Sequence, residues 1–359
     1  SKFGDKTMYP RIIINKEHII DNCRLMIKKA HENHIDQIMA IVKVFAGHLD
    51  ILEDLVDTGI NQIGDSRLEN LKLLKDITIP KCLVRIPMIS EVDDVVTYAD
   101  ISLNSELRTI QALNNASHKQ NKIHQIILMF DLGDLREGIY YTNDYMDLVR
   151  EILSYKSIEL KGIGTNLTCY GGLVPSKKVL DRLLHIKNNI ESHFNMKLDI
   201  ISGGNSSTVF LFDKDQIPKE INHLRLGESI FFGKETAYST EIKGFNHDNF
   251  ILEAEIIESY TKPSYPDGHV SINSFGEKVA IEDKGLMKRG ILAIGKQDVI
   301  FDNLKPLDKH ISIIGGSSDH CIIDLGKEAY RVGDIVRFSV NYPGLLHLMN
   351  SNYIKKVFK

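Results

Sequence analysis

Short strand-like runs, several of them rich in Ile, Leu and Val without alternating polar residues, recur along the first two-thirds of the chain. They lie at residues 11–15, 38–43, 61–64, 82–86, 100–103, 125–131, 159–165, 197–202 and 223–226. Continuous apolar runs of this length fit strands buried on both faces, as in a parallel sheet, better than strands with one wet face. Between them, apolar residues recur at three- and four-residue spacing over 17–33, 49–58, 66–75, 105–115, 143–154 and 176–194, which predicts amphipathic helices. About eight strand–helix units in roughly 230 residues predict a (β/α)8 barrel of the TIM type. A doubly wound sheet is the alternative that strand counting leaves open.

The pattern changes after residue 245. Strand-like runs crowd together at 250–258, 269–272, 289–294, 311–314, 321–324 and 335–340, turns of Gly, Pro and Asp separate them, and helical spacing nearly vanishes. This predicts a smaller C-terminal β domain. The expected division is a barrel over residues 1–244 and a β domain over 245–359, with the boundary inside Gly244-Phe245-Asn246-His247-Asp248.

Composition narrows the functional classes. A chain of 359 residues, 43% of them hydrophobic, can bury the cores of one large and one smaller domain. A net charge of −4 with no basic stripe argues against a nucleic-acid partner. No apolar run has the length of a membrane span, and Ser1-Lys2-Phe3-Gly4-Asp5-Lys6 carries no signal-peptide core. The four cysteines, Cys23, Cys82, Cys169 and Cys321, are scattered without any Cys-x-x-Cys, so neither a disulfide framework nor a zinc knuckle is indicated. The expected compartment is the reducing cytoplasm.

The first chemical candidate is Lys43, which closes the apolar run Ile38-Met39-Ala40-Ile41-Val42. An amine at the mouth of a barrel loses solvation, which disfavours its charged form and makes it a nucleophile able to form a Schiff base with a carbonyl such as pyridoxal 5'-phosphate (PLP). Taken alone, a strand-end lysine more often snorkels to water. Two Gly-rich segments change that balance: Ser202-Gly203-Gly204-Asn205-Ser206-Ser207 and Leu224-Arg225-Leu226-Gly227-Glu228-Ser229. They follow the two runs expected as the last barrel strands, where phosphate sites are frequent. Small residues let backbone N–H groups approach an anion, and a helix starting at Ser206 would add its own.

These residues resemble the alanine racemase family of fold-type III PLP enzymes, most closely its ornithine and lysine racemase branch, along nearly the whole chain. Ala40-Ile41-Val42-Lys43 resembles the PLP-lysine motif, and Asn205-Ser206 its phosphate contact. Arg225-x-Gly227 is similar to the Arg-x-Gly whose arginine faces the pyridine nitrogen, with backbone amides at Gly227 and Glu228 on the phosphate. Tyr353 resembles the phosphate-binding tyrosine near the C-terminus. Asp131-Leu132-Gly133-Asp134-Leu135-Arg136 is similar to a segment whose arginine organises the substrate carboxylate and the cofactor's phenolic oxygen. Gly64-Asp65-Ser66-Arg67, Gly162-Ile163-Gly164-Thr165-Asn166, Gly295-Lys296-Gln297-Asp298 and Ser317-Ser318-Asp319-His320 resemble the ornithine racemase branch more specifically. The resemblance implies a PLP-dependent racemase of a small amino-acid substrate, working as a head-to-tail homodimer.

The chain also departs from alanine racemases. Val44-Phe45-Ala46-Gly47 offers no tyrosine after the lysine, Met129 or Phe130 stands where a lysine is usual, and Asn166 replaces the histidine over the ring. Ser274-Phe275-Gly276 carries a phenylalanine where the second base is a tyrosine, and phenylalanine cannot carry a proton. Racemisation needs a base on one face of Cα and an acid on the other. Lys43 is the expected first group, and His320, the titratable residue of the β-domain loops, the expected second. A structural role for His320 stands beside that reading. Asp298 and Asp319 are candidates to hold a cationic substrate side chain, with turn capping as the alternative for each. Ser318 and Arg136 are candidates for the substrate carboxylate. The expected activity is racemisation of ornithine or lysine. Alternatives are racemisation of alanine or serine, a fold-type III decarboxylase or lyase, and a noncatalytic PLP-binding protein.

Overall fold

A computed structural model describes residues 8–278 and 280–359. Its first ten strands are β1 Arg11–Ile14, β2 Gln37–Ile41, β3 Gln62–Asp65, β4 Lys81–Leu83, β5 Ile101–Asn104, β6 His124–Asp131, β7 Ile139–Tyr140, β8 Ile158–Gly164, β9 Ile200–Ser202 and β10 His223–Leu226. The remaining seven are β11 Phe250–Pro263, β12 Leu286–Leu292, β13 Leu304–Pro306, β14 Ser312–Gly316, β15 Cys321–Asp324, β16 Ile335–Val340 and β17 Lys355–Phe358.

Eight parallel strands close into a barrel in the order β2-β3-β4-β5-β6-β8-β9-β10, with β10 returning to pair with β2. The interior is a packed core in which Met39, Cys82, Ile101, Leu103, Ile127, Met129 and Ile200 cluster, every one of them buried. Helices such as Lys16–Glu32, Leu107–Lys119 and Lys177–Phe194 sheathe the outside, each burying one apolar stripe. Ser176 caps the last of these, its side chain accepting from the Val179 N–H at 3.1 Å. The chain therefore builds the closed barrel, and the doubly wound alternative falls.

The chain divides into two compact units, one of Glu17–His247 and the other joining the segment that ends at Lys16 to Asp248–Lys359. The expected boundary near residue 245 lies three residues away, but the run at 11–15, counted above among the barrel strands, belongs to the other unit. There β1 pairs antiparallel with β11 and parallel with β17. Charge explains the choice. Buried Glu253 on β11 takes Arg11 Nε at 2.8 Å and Arg337 Nε, from β16, at 2.9 Å, so a three-strand ladder needs β1 to complete it. Ile12 and Ile14 fill the core beneath.

The rest of that unit is a largely antiparallel sheet in the order β13-β16-β11-β12-β15-β14. Residues 269–272 form no strand, only a bridge from Ile272 to Lys278, because the surrounding Gly and Pro residues favour loop geometry. The helix Tyr342–Asn350 interrupts the β texture. Asn341 caps it, accepting the Gly344 N–H at 3.0 Å. In the barrel unit the helix Val92–Tyr98 also lies outside the predicted set, being too short to show a full apolar stripe.

Candidate active site

The chain leaves β2 at Ile41, and Lys43 opens a single 3-10 turn, Lys43–Phe45, that ends with Ala46 at a left-handed φ of 48°. Val44 and Phe45 are driven into the core, where Phe45 meets the ring of Phe231 edge-on at 4.7 Å. The turn leaves Lys43 half-buried on a cavity of about 440 Å³, shared with Arg85, Arg136, Glu137, Asn166, Asn205 and Arg225. Burial, then the neighbouring Arg136 charge, pushes the Lys43 pKa down, against the pull of Asp65. Both effects disfavour its charged form and favour the nucleophilic amine.

Asp65, at the end of β3, is fully buried and pushed up to about 6 by that burial. It accepts the Arg67 N–H at 2.9 Å and the Asn70 amide on both oxygens at 3.1 and 3.2 Å. Its part in the electrostatics of Lys43 was not predicted. The Gly64-Asp65-Ser66-Arg67 segment marked the place without revealing the role.

Arg225 lies at the heart of the site and is nearly inaccessible, at 3% exposure. Its contacts run two ways. Nη1 donates to Ser202 Oγ at 2.5 Å. That hydroxyl is thereby free to donate to His223 Nδ1 at 2.9 Å, which leaves the ring's Nε2–H to donate to Gln62 Oε1 at 2.9 Å. His223 is thus a neutral imidazole, its pKa pushed down to about 3 by burial and by Arg225. In the other direction, Nη2 donates to Thr165 O at 2.7 Å and Asn166 Oδ1 at 2.6 Å. The Asn166 amide then donates to Glu137, which also takes Arg136 Nε, and Arg136 Nη2 at 3.0 Å. Burial raises the pKa of Glu137, but its hydrogen bond and charge pairing with Arg136 bring the net below the usual carboxylate range. Glu137 joins two arginines that the sequence motifs identified separately. The motif ended one residue before it.

Close backbone approach makes room for this arrangement. A Cβ on Gly164 would come within 3.2 Å of Arg225 Nη1, and one on Gly227 within 3.0 Å of the Ile41 carbonyl oxygen. Of the two predicted phosphate loops, the first holds Asn205 by its own bonds: its amide donates to Leu167 O at 3.0 Å and Cys169 Sγ at 2.9 Å, while Oδ1 takes the Ser207 N–H at 2.9 Å. Ser206 ties this loop to the second, donating to Ser229 Oγ at 2.8 Å and accepting the Ser229 N–H at 3.0 Å. The turn past Ser206 is a short 3-10 segment, Thr208–Leu211, because Asn205 and Ser207 spend their polar groups on the loop itself. Glu228 opens the four-residue helix Glu228–Phe231, and burial pushes its pKa up.

The donor set fits PLP. A desolvated amine, a buried guanidinium and an Asn-lined loop face one cavity, and two Gly-containing loops are bonded together beside it. Lys43, Asn166, Asn205, Ser206, Arg225, Gly227 and Glu228 lie in the barrel unit, as the motifs imply.

The other candidates lie in the β unit. Tyr353 is 73% exposed in the turn before β17. The two predicted loops meet: the Lys296 N–H donates to Ser317 O at 2.8 Å and the Gln297 N–H to Ser318 O at 3.2 Å. His320 is exposed at the β14–β15 turn, its Nδ1 3.4 Å from Ser317 Oγ. Asp319 is exposed too, taking the Gln297 amide and, at 3.1 Å, the Ser318 hydroxyl. Asp298 differs. It is buried, with one oxygen on the Gly295 N–H at 3.2 Å and the other on Ser351 Oγ at 3.0 Å, so it braces the loop. Phe275 is exposed, with Lys296 Nζ 4.5 Å from its ring centre. Among the described residues no helix is long and apolar enough to cross a membrane.

Residues 14–235 match the family described as alanine racemase, N-terminal domain. The chain is 46% identical to the ornithine racemase of Acetoanaerobium sticklandii, over 97% of this chain and 99% of that protein. It is 35% identical to the lysine racemase of Thermotoga maritima, over 98% and 99%. Its fold is shared with an alanine racemase from Bartonella henselae with covalently bound pyridoxal phosphate, at a TM-score of 0.74 and 17% identity, covering 98% of this chain and all of that one. The chain belongs to the alanine racemase family of PLP-dependent enzymes.

Proposed function

We propose that the protein racemises a basic amino acid, ornithine with lysine as second candidate, in the cytoplasm and as a head-to-tail homodimer. The observation that carries the reading is the half-buried Lys43 amine sharing one cavity with Arg225 and Arg136, in a chain 46% identical to an ornithine racemase. PLP, when bound, supplies the electron sink that acidifies the substrate Cα–H. Lys43 would hold the cofactor, and its Nζ would move the proton on one face of the substrate Cα. Burial lowers its pKa, which favours the form that accepts a proton. Arg225 would face the pyridine side. All its contacts are hydrogen bonds that it donates, so it remains a cation and opposes a second positive charge on the ring nitrogen. The loops joined by the Ser206–Ser229 bond and shaped by Asn205 would hold the phosphate.

His320 is assigned the opposite face, since Phe275 has no proton to move. It would reach the site from the partner's β unit. Exposed apolar side chains on three loops at the C-terminal ends of barrel strands, Met88, Leu135 and Tyr170, support a covered mouth. Asp319, exposed on its hairpin, suits a substrate ammonium group.

The test is a panel of L-amino acids in deuterium oxide, scored for α-deuteration and loss of optical rotation. Ornithine and lysine should exchange fastest. Release of carbon dioxide in place of racemisation would favour a decarboxylase, and PLP binding without exchange would favour a noncatalytic protein.

A further inference from the structure

Four cationic side chains line the cavity, and three are already committed. Lys43 is the cofactor's lysine. Arg225 spends Nη1 and Nη2 on Ser202, Thr165 and Asn166. Arg136 directs Nε and Nη2, the guanidinium edge that grips a carboxylate in parallel, onto Glu137. That carboxylate is fixed in turn by the Asn166 amide. The substrate carboxylate, assigned to Arg136 by motif, would have to compete with a carboxylate built into the chain.

Arg85 is the fourth. It follows β4 and lines the same cavity. One nitrogen, Nη2, donates to Glu91 Oε1 at 3.0 Å, and Glu91 is itself pinned by the Met88 N–H at 3.1 Å. Arg85 Nε is enclosed yet has no acceptor. A buried guanidinium N–H without an acceptor is rare in folded proteins and calls for a ligand or a compensating role. Glu91 therefore anchors one corner of this guanidinium and leaves the rest with donors unspent. We infer that Arg85 is the residue that binds the substrate's α-carboxylate, with a small turn of its guanidinium bringing Nε onto the incoming oxygen, while Arg136 serves Glu137 and the cofactor side. This rests on the amino-acid racemase reading but not on which amino acid is the substrate.

The experiment compares wild-type holoenzyme with Arg85→Gln and Arg85→Lys. Each is titrated, by the change in cofactor absorbance, with ornithine and with its carboxylate-free counterpart 1,4-diaminobutane, then with alanine and ethylamine. Arg85→Gln should weaken amino-acid binding roughly ten- to a hundredfold, the range of a charge-assisted pair. Binding of the amines and of PLP should stay at the wild-type level. Arg85→Lys should recover part of the loss. KM should rise more than kcat falls. An unchanged preference for amino acid over amine in Arg85→Gln overturns the assignment, as does an equal loss for both ligands. A changed PLP affinity or absorbance band would place Arg85 on the cofactor instead, and also overturns it. Failure of wild-type enzyme to exchange ornithine or lysine in deuterium oxide would sink the substrate reading alone, because the alanine pair still tests Arg85.

Discussion

In the barrel unit, seven side chains from Arg136 through Glu137, Asn166, Arg225, Ser202 and His223 to Gln62 form one unbroken run of hydrogen bonds. In the β unit, the candidate residues at the β14–β15 turn are exposed and bond only within that turn and to the adjoining loop at Gln297. The barrel run leaves little freedom: every member is bonded to the next, and the tautomer of His223 follows from the direction of the chain. A group that must keep one charge and one position through a reaction cycle gains from such preorganisation. Exposed groups at a turn pay little to adapt, which suits recognition of variable side chains and completion by a second subunit.

The sharpest way to break this comparison is at its fixed end. Lys43→Ala should reduce racemisation to background, at least about 10⁴-fold, since it removes both the cofactor's attachment and a proton-transfer group. Borohydride treatment of wild-type holoenzyme should fix the cofactor on Lys43, read by peptide mass. A label on another lysine would move the centre of the site elsewhere.

The next effect tests the adaptable end. His320→Asn should slow turnover by roughly 10²- to 10⁴-fold while leaving PLP binding intact. Mixing Lys43→Ala with His320→Asn chains should restore activity if each site draws on both subunits, because a mixed dimer then holds one intact site. Random pairing predicts recovery to about a quarter of wild type. Subunit exchange without recovery would place both groups within one chain.

A third effect follows from the buried imidazoles of the barrel. Burial holds His124 down to about 4 and His223 down to about 3. Both are neutral in the fold and protonate near 6.5 when unfolded. Their contribution is therefore complete above about pH 6.5 and drains away as the pH falls toward 4. Asp65, raised to about 6, works the other way, since protonation between about pH 6 and 4 relieves its burial. At about 1.4 kcal/mol per pKa unit, the two histidines lose roughly 5 kcal/mol between pH 7 and 4.5 and Asp65 returns about 2. Urea unfolding should show a net loss over that range, to which these three groups contribute about 3 kcal/mol, smaller in His223→Gln. Stability that rises steadily on acidification would contradict the neutral-histidine network.

The two regions also differed in how far they could be read from sequence. Eight barrel strands were legible, several of them because a strand buried on both faces is rich in apolar residues at successive positions. The same signal misplaced residues 11–15, since Ile12 and Ile14 are equally apolar in either sheet, and what decides between them is Glu253, some 240 residues away. Lys43, Asn205 and Arg225, which line one cavity, are the residues the motifs mark. Glu137 and Asp65 were not legible, because a carboxylate's role depends on which donors the fold turns toward it, and neither Asn166 nor Asn70 announces that in the chain. Asp298 and Asp319 read alike in sequence; only burial separates them.

That pair gives the smallest and most discriminating test. Asp298 spends one oxygen on Gly295 N–H and the other on Ser351 Oγ. An asparagine keeps the shape but exchanges one acceptor for a donor. Asp298→Asn should therefore cost about 1 kcal/mol of stability in urea unfolding and leave the ratio of kcat/KM for ornithine over alanine unchanged. Asp319 sits in solvent on the hairpin, where its loss barely affects folding. If it meets the substrate's side-chain ammonium, Asp319→Asn should lower that ratio about tenfold while leaving stability at the wild-type level. A preference lost in Asp298→Asn and kept in Asp319→Asn would reverse the assignment and put the substrate's charge on the buried carboxylate. A preference kept in both would show that neither aspartate reads the side chain, and would move the search for that group into the barrel cavity.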